Sequence, residues 1–112
     1  AGTSFERLQI GGRLIVATFI FRQHTHNADF VELDDEIMAR ANSNPGFIRK
    51  GKWLSPDGQT IRVDYYFKDQ ESLQVFRSDE VHRVAKKRYS EWYDGYEVEI
   101  SEVLHFHGDG RL

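Results

Sequence analysis

The stretch that decides the fold is Leu14–Phe21, which reads LIVATFIF. Successive side chains of a strand point to opposite faces of a sheet, and this segment is apolar at both parities. The two faces carry Leu14, Val16 and Ile20 on one side and Ile15, Ala17, Phe19 and Phe21 on the other. A strand that is apolar on both faces is typical of the centre of a sheet that is covered on both sides.

A helix, a hairpin, a second helical region and a last strand follow. The helix is predicted from the spacing of Phe30, Leu33, Ile37 and Ala41, with Asn27 or Thr25 as its cap. Strands are predicted over 47–54 and 59–67, joined by the turn residues 55–58. Helical spacing then runs from about residue 68 to 92 with a break near Ser78-Asp79, and alternation from Tyr96 to Phe106 predicts the last strand.

The order βαββαβ predicts an α+β, ferredoxin-like fold. Right-handed crossovers give an antiparallel four-stranded sheet of order 4-1-3-2 with both helices on one face. The two helices can cover only that face, and the first strand is apolar on the other as well. A second copy is the simplest cover, so we expect a homodimer.

Composition limits the class of protein. The chain has 112 residues, the size of one domain; we expect an arm over 1–12, the domain over 13–107 and a tail over 108–112. A net charge of −3 disfavours nucleic acid as a partner, and the absence of cysteine excludes thiolate chemistry and Cys-ligated metals. No apolar run approaches ~18 residues, so we expect no membrane segment and a cytoplasmic location.

Three stretches resemble the antibiotic biosynthesis monooxygenase (ABM) family of dimeric α/β-barrel proteins. They are residues 44–47 (NPGF), residues 65–73 (YYFKDQESL) and residues 76–82 (FRSDEVH) with Trp92-Tyr93 beyond. The resemblance implies a dimer whose sheets pack face to face, with a pocket in each protomer between its sheet and its helices. It also implies a small monooxygenase that needs no metal or organic cofactor and oxidises an aromatic or polyphenolic molecule.

Two other functions stay open. The first is haem binding and degradation, which in similar proteins uses an Asn on the first strand, a Trp at the end of the third and a His on the second helix. Here Phe67 stands where that Trp is expected, and His82 is displaced by about one turn from the expected His. The second is a non-catalytic dimeric module that binds a small hydrophobic ligand or serves in a stress response.

His82 and Tyr65 are the predicted catalytic residues. The resemblance implies a His near the mouth of the pocket at position 82, where an imidazole can move a proton near neutral pH; a surface or capping role is the alternative. Tyr65 is assigned to the pocket because it shares the parity of Phe67. The predicted substrate-binding residues are aromatic, and core packing is their alternative role; they are Phe67, Trp53, Phe19 and Phe21.

Arg62, Asp64 and Tyr66 lie on the opposite parity of the third strand and are predicted to reach the dimer interface. Charges at the centre of a sheet are costly unless they are paired, so a bonded network is expected there. The pairs His24/His26 and His105/His107 share strand parity, but the topology places them at opposite ends of the sheet. No metal site is therefore predicted, and the absence of a phosphate-binding glycine motif gives no indication of a nucleotide or flavin.

Overall fold

A computed structural model of the protein describes residues 14–112. The predicted arm, residues 1–12, lies outside them. The elements in chain order are β1 (Leu14–Gln23), α1 (Ala28–Asn42), β2 (Phe47–Leu54), β3 (Thr60–Phe67), α2 (Gln70–Ser78), α3 (Glu80–Arg88), a short 3₁₀ turn (Tyr89–Glu91) and β4 (Tyr93–Val103).

The strands form one antiparallel sheet in the order β2-β3-β1-β4, which confirms the predicted order 4-1-3-2. β1 lies between β3 and β4, as its two apolar faces require. The edges are β2, with three cationic side chains, and β4, with exposed glutamates. Charged edge strands disfavour uncontrolled pairing with other chains.

One face of the sheet, here called the helix face, packs against the helices. Ile15 and Phe21 of β1 and Tyr65 and Phe67 of β3 are buried there with Leu73 and Phe76 of α2. Partly buried side chains of α1, among them Ile37 and Met38, pack against the same cluster. A second cluster joins Leu33 of α1 to Val81 of α3 and to Trp92, which is 1% exposed.

The opposite face, here called the outer face, is unevenly buried. Leu14, Val16 and Thr18 of β1 are at most 7% exposed in the single chain. By contrast, the side chain of Arg62 is 53% exposed and Trp53 is 65% exposed. Leu14 and Val16 are thus buried within the single chain, whereas Ile20 is only partly buried. The second copy expected on this face stays a prediction.

Aspartate and asparagine caps set the ends of the helices. Asn27 caps α1 by accepting a hydrogen bond from the Phe30 N–H, which decides between the two predicted caps. Asp79 interrupts the second helical region where the sequence predicts a break: its extended backbone ends α2, and its carboxylate accepts from the Val81 N–H at the start of α3. None of the described helices is long and apolar enough to cross a membrane.

β4 begins three residues earlier and ends three residues earlier than the alternation predicts. Its early start follows from Trp92, whose carbonyl accepts hydrogen bonds from the N–H groups of His24 and Thr25. Its indole Nε1 also donates to Asn27 Oδ1 at 3.1 Å. These bonds align Tyr93 with the end of β1, and Tyr93 becomes the first residue of the strand.

Candidate functional site

The candidate site lies on the helix face of the sheet around Ala17. Ala17 lies on the central strand, and its cross-strand neighbours on the helix face are Tyr65 of β3 and Ile100 of β4. Although central, Ala17 is only partly buried, and Ile100 beside it is 41% exposed. The methyl group of Ala17 is the smallest side chain on the helix face of β1, and it lies between a tyrosine and an isoleucine. We call the partly exposed surface around it the Ala17 hollow.

Tyr65 forms one wall of the hollow and is 9% exposed. Its ring contacts Phe76 at 5.1 Å between centroids, and the Lys50 ammonium lies 5.7 Å from its centre. Burial raises the pKa of the Tyr65 hydroxyl far above its ordinary value, and the nearby Asp34 charge raises it further. The hydroxyl therefore keeps its proton at neutral pH and can donate a hydrogen bond to a ligand.

Tyr93 places a second hydroxyl on the same side of the sheet. Its ring packs against Phe21 at 4.4 Å, Phe19 at 5.7 Å and Phe30 at 6.0 Å between centroids. Burial also raises the pKa of Tyr93, and Asp34 adds to the effect. Tyr93 also raises the pKa of Tyr65, after burial and Asp34, so the two hydroxyls lie near each other and form one group.

Asp34 brings a carboxylate to this group from α1. Successive helical residues are rotated by about 100°, so Asp34 lies on the inward stripe of the helix with Phe30 and Met38. Its side chain is half-buried. Within residues 14–112 its carboxylate has no hydrogen-bond or ion-pair partner. The site thus combines two hydroxyl donors with one acceptor beside an aromatic wall.

Phe19 and Phe21 continue that wall, 4.9 Å apart between ring centroids. Phe19 is partly buried and also contacts Tyr96, which is 50% exposed. The exposed surface of Tyr96, Val98 and Ile100 places the open side of the site along β4. An aromatic ligand entering there would meet the rings of Tyr96 and Phe19.

Phe67 and Trp53 do not line the hollow. Phe67 is fully buried and packs against Phe47 and Phe76, so it supports the site from within the core. Trp53 pairs with Arg62 on the outer face and is solvent-exposed. A register shift between Phe47 and Arg49 reverses the parity of the rest of β2, which turns Trp53 away from Tyr65.

His82 and Tyr65 are not brought into contact. The imidazole packs against Phe76 at 5.0 Å between centroids, and Tyr65 also contacts the Phe76 ring. Burial lowers the pKa of His82, with Lys86 and Arg77 adding to the effect and Asp79 opposing it. Its buried Nδ1 has no hydrogen-bond partner among the described residues. A proton passing between His82 and a ligand at Tyr65 would have to bypass Phe76.

Arg62, Asp64 and Tyr66 all lie on the outer face of β3, as their parity predicts. Asp64 is 5% exposed and accepts a 2.7 Å hydrogen bond from Thr18 Oγ1. Arg62 Nε lies 3.2 Å from Asp64 Oδ1, and the Arg49 guanidinium stacks over the Tyr66 ring at 4.6 Å. The buried carboxylate is therefore satisfied by its own chain.

The histidine pairs lie at opposite ends of the β1–β4 ladder, as expected. His24 contacts Thr25 Oγ1 and the Ser90 carbonyl, whereas the rings of His105 and His107 stack 6.5 Å apart. In the part of the chain that the structure describes, no group of three His, Asp or Glu side chains is arranged to hold a metal ion.

A shallow depression also lies on the outward face of α1. Its lining residues lie opposite the inward stripe of the helix and are Ala28, Val31, Glu32, Asp35, Glu36 and Ala39. A single helix supplies this lining, so it offers no second wall to enclose a ligand. The depression is separate from the Ala17 hollow.

Ala17, Tyr93 and Asp34 are the site residues that sequence reasoning missed. Asp34 falls in register with the apolar stripe of α1, and a carboxylate on such a stripe is the signal that could have revealed it. The corresponding signal at Ala17 is a single small residue within an otherwise bulky central strand.

The architecture is shared with many solved structures. SnoaB, a cofactor-independent oxygenase from Streptomyces nogalater, superposes with a TM-score of 0.64 at 12% identity, covering 88% of this chain and 98% of that one. An antibiotic biosynthesis monooxygenase candidate from Nitrosomonas europaea gives 0.66 at 14% identity, covering 85% and 94%. The chain has the ABM-type fold.

Other structures with this fold include Rv0793 from Mycobacterium tuberculosis, with a TM-score of 0.66 at 11% identity over 86% of this chain and 98% of that one. No family model matches the sequence, and no curated protein matches it either. At these identities the likeness establishes the fold, so the activity has to be argued from the site.

Proposed function

We propose that the protein is a cofactor-independent monooxygenase that oxidises an electron-rich phenol or polyphenol held above Ala17. The observation that carries the proposal is the partly exposed Ala17 at the centre of an ABM-type sheet, beside Tyr65. A flat aromatic ring fits a space bounded by aromatic faces, and the two tyrosine hydroxyls supply donors for its oxygen.

The chemistry uses the substrate as the reductant. Loss of the phenolic proton to a base gives an anion that transfers an electron to O₂. The phenoxyl radical and superoxide combine at a ring carbon, and return of that proton completes a ring hydroperoxide. Loss of water then leaves a quinone: one oxygen atom stays in the product, and the other leaves as water with two substrate hydrogens. The chain has to stabilise the anion and keep bulk water from it.

Tyr65 and Tyr93 are suited to stabilising the substrate anion. In water, moving a proton from a phenol, whose pKa is near 10, to an aspartate carboxylate, whose pKa is near 4, costs about 8 kcal/mol. A hydrogen bond to a charged group contributes about 1.5–3 kcal/mol, so two tyrosine donors offset about 3–6 kcal/mol of that cost. The predicted proton-accepting role of His82 is tested by His82→Ala.

Oxygen uptake with a panel of dihydroxynaphthalenes tests the proposal. We expect one O₂ consumed per quinone formed, one atom of ¹⁸O₂ in the product and no accumulation of hydrogen peroxide. Ala17→Leu fills the hollow and should abolish turnover, whereas Ala17→Ser, which keeps a small side chain, should retain it. Saturable binding without oxygen uptake across the panel would contradict the oxygenase and favour the non-catalytic module.

We also propose that the working form is a homodimer through the outer face. The exposed side chains of Arg62 and Trp53 on that face support this. One edge of the sheet also carries cations and the other glutamates, and a two-fold axis can place the cationic edge of one copy against the acidic edge of the other. Sedimentation velocity at micromolar concentration should give one species of twice the chain mass. Sedimentation as a single chain mass at that concentration would contradict the dimer.

A further inference from the structure

The Asp34 carboxylate is unusual among the acidic groups of α1. The other acidic side chains of this helix, Asp29, Glu32, Asp35 and Glu36, are exposed to solvent, whereas Asp34 is half-buried on the inward stripe. A partly buried carboxylate loses hydration, and it regains stability only from a hydrogen bond or an opposite charge. No such partner comes from residues 14–112.

The packing of α1 fixes where this carboxylate lies. One turn before it, the Phe30 ring contacts Tyr93 at 6.0 Å between centroids. One turn after it, Met38 packs against the cluster that contains Tyr65. Asp34 therefore lies close enough to both tyrosines for its charge to act on them, and Tyr65 is the cross-strand neighbour of Ala17.

We propose that Asp34 is a specificity-determining residue that accepts a hydrogen bond from a ligand hydroxyl and so selects free phenols over their ethers and over aryl carboxylates. This inference rests on the proposed site above Ala17 but not on turnover there. An ether has no proton to donate, so it leaves the carboxylate unpaired. An aryl carboxylate brings a second negative charge and is repelled.

Equilibrium binding of three matched probes tests this assignment: 1-naphthol, 1-methoxynaphthalene and 1-naphthoate. Each is titrated by isothermal calorimetry under nitrogen, so that oxidation does not interfere. We expect the wild type to bind 1-naphthol more tightly than the ether by on the order of 10- to 100-fold, the factor that a hydrogen bond to a charged group supplies. The carboxylate probe should bind most weakly.

Asp34→Asn should reduce the naphthol-to-ether ratio at least about fivefold and strengthen naphthoate binding, because it removes the charge at nearly constant volume. Asp35→Asn is the matched control, since it makes the same change one residue away on the exposed face and should leave all three affinities unchanged. Thermal melts check that both variants are folded. Should Asp34→Asn be unfolded, Asp34→Glu, which keeps the carboxylate, replaces it and should preserve the order of the three probes.

The outcomes separate the inference from the proposed site. If Ala17→Leu abolishes binding but Asp34→Asn leaves the ratio unchanged, the role of Asp34 is overturned and the site stands. A change in the order of the probes caused by Asp34→Glu would also overturn it. If none of the probes binds the wild type, the site above Ala17 is overturned and the inference with it.

Discussion

Replacing Gly46 by alanine should destabilise the protein through one identifiable overlap. A Cβ built on Gly46 would overlap the Oγ and Cβ of Ser72, in the first turn of α2, and would lie 3.3 Å from Lys68 Cγ. Ser72 cannot simply move aside, because its N–H donates to Asp69 Oδ1 at 2.8 Å and its carbonyl accepts from Asn44 Nδ2 at 2.9 Å. Overpacking of this kind costs about 1–3 kcal/mol.

A double-mutant cycle isolates that overlap. Ser72→Gly removes both offending atoms at a cost of about 1–2 kcal/mol in helix propensity and in its hydroxyl bond to Asp69. Gly46→Ala with Ser72→Gly should therefore cost less than the sum of the two single changes by about 1–2 kcal/mol. Ser72→Ala retains the Cβ, so its rescue of Gly46→Ala should be smaller.

Urea unfolding followed by tryptophan fluorescence measures the cycle. Trp92 is 1% exposed and enters water on unfolding, whereas Trp53 is already 65% exposed. Each kcal/mol should also shift the melting temperature by about 4–8 °C for a domain of this size. Additivity within about 0.5 kcal/mol would refute the explanation, because it would mean that alanine at position 46 acts without meeting Ser72.

Three further changes follow from single contacts. His82→Phe should keep the packing on Phe76 and flatten the pH dependence of the free energy of unfolding. Burial lowers the His82 pKa, so the wild type loses stability as the pH falls below about 6.5. An unchanged pH dependence of the unfolding free energy in urea melts from pH 5 to 7 would contradict this. Thr18→Val should cost about 1.5–3 kcal/mol in the same assay by leaving the buried Asp64 without its 2.7 Å donor, and a cost below 0.5 kcal/mol would count against that bond. Burial raises the pKa of Tyr65, so the neutral hydroxyl stabilises the folded protein below pH 10, and this stabilisation fades as the pH rises further. Because the Tyr65 hydroxyl keeps its proton in the folded protein, Tyr65→Phe should leave the tyrosinate absorbance at 295 nm unchanged up to pH 11.

The fold was predictable because its central strand is apolar on both faces. That property places Leu14–Phe21 between two neighbours, and short crossovers then leave one strand order. The start of β4 was not predictable from alternation, because Tyr93 is placed by hydrogen bonds to the Trp92 carbonyl from residues about 70 positions earlier. Long-range bonds of this kind leave no periodic signal.

The site was predictable only in part. Parity alone assigned Tyr65 to the helix face and Arg62 to the outer face. Trp53 was misplaced because one irregularity in pairing reverses the parity of everything after it, and a strand sequence does not show such an irregularity. Asp34 was missed because acidic residues are common near the start of a helix, where they complement the helix dipole; that explains its neighbours but not a carboxylate on the inward stripe.

The central position of β1 has a consequence for biosynthesis. Its apolar segment leaves the ribosome before either of its neighbours, and Thr18 meets Asp64 only after 46 more residues. At about 5–20 residues per second, the segment waits for roughly 2–9 s before β3 is made, and longer for β4. During that interval a nascent LIVATFIF segment is a target for chaperones and a potential start of aggregation, so translation speed between β1 and β3 should influence the yield of folded protein.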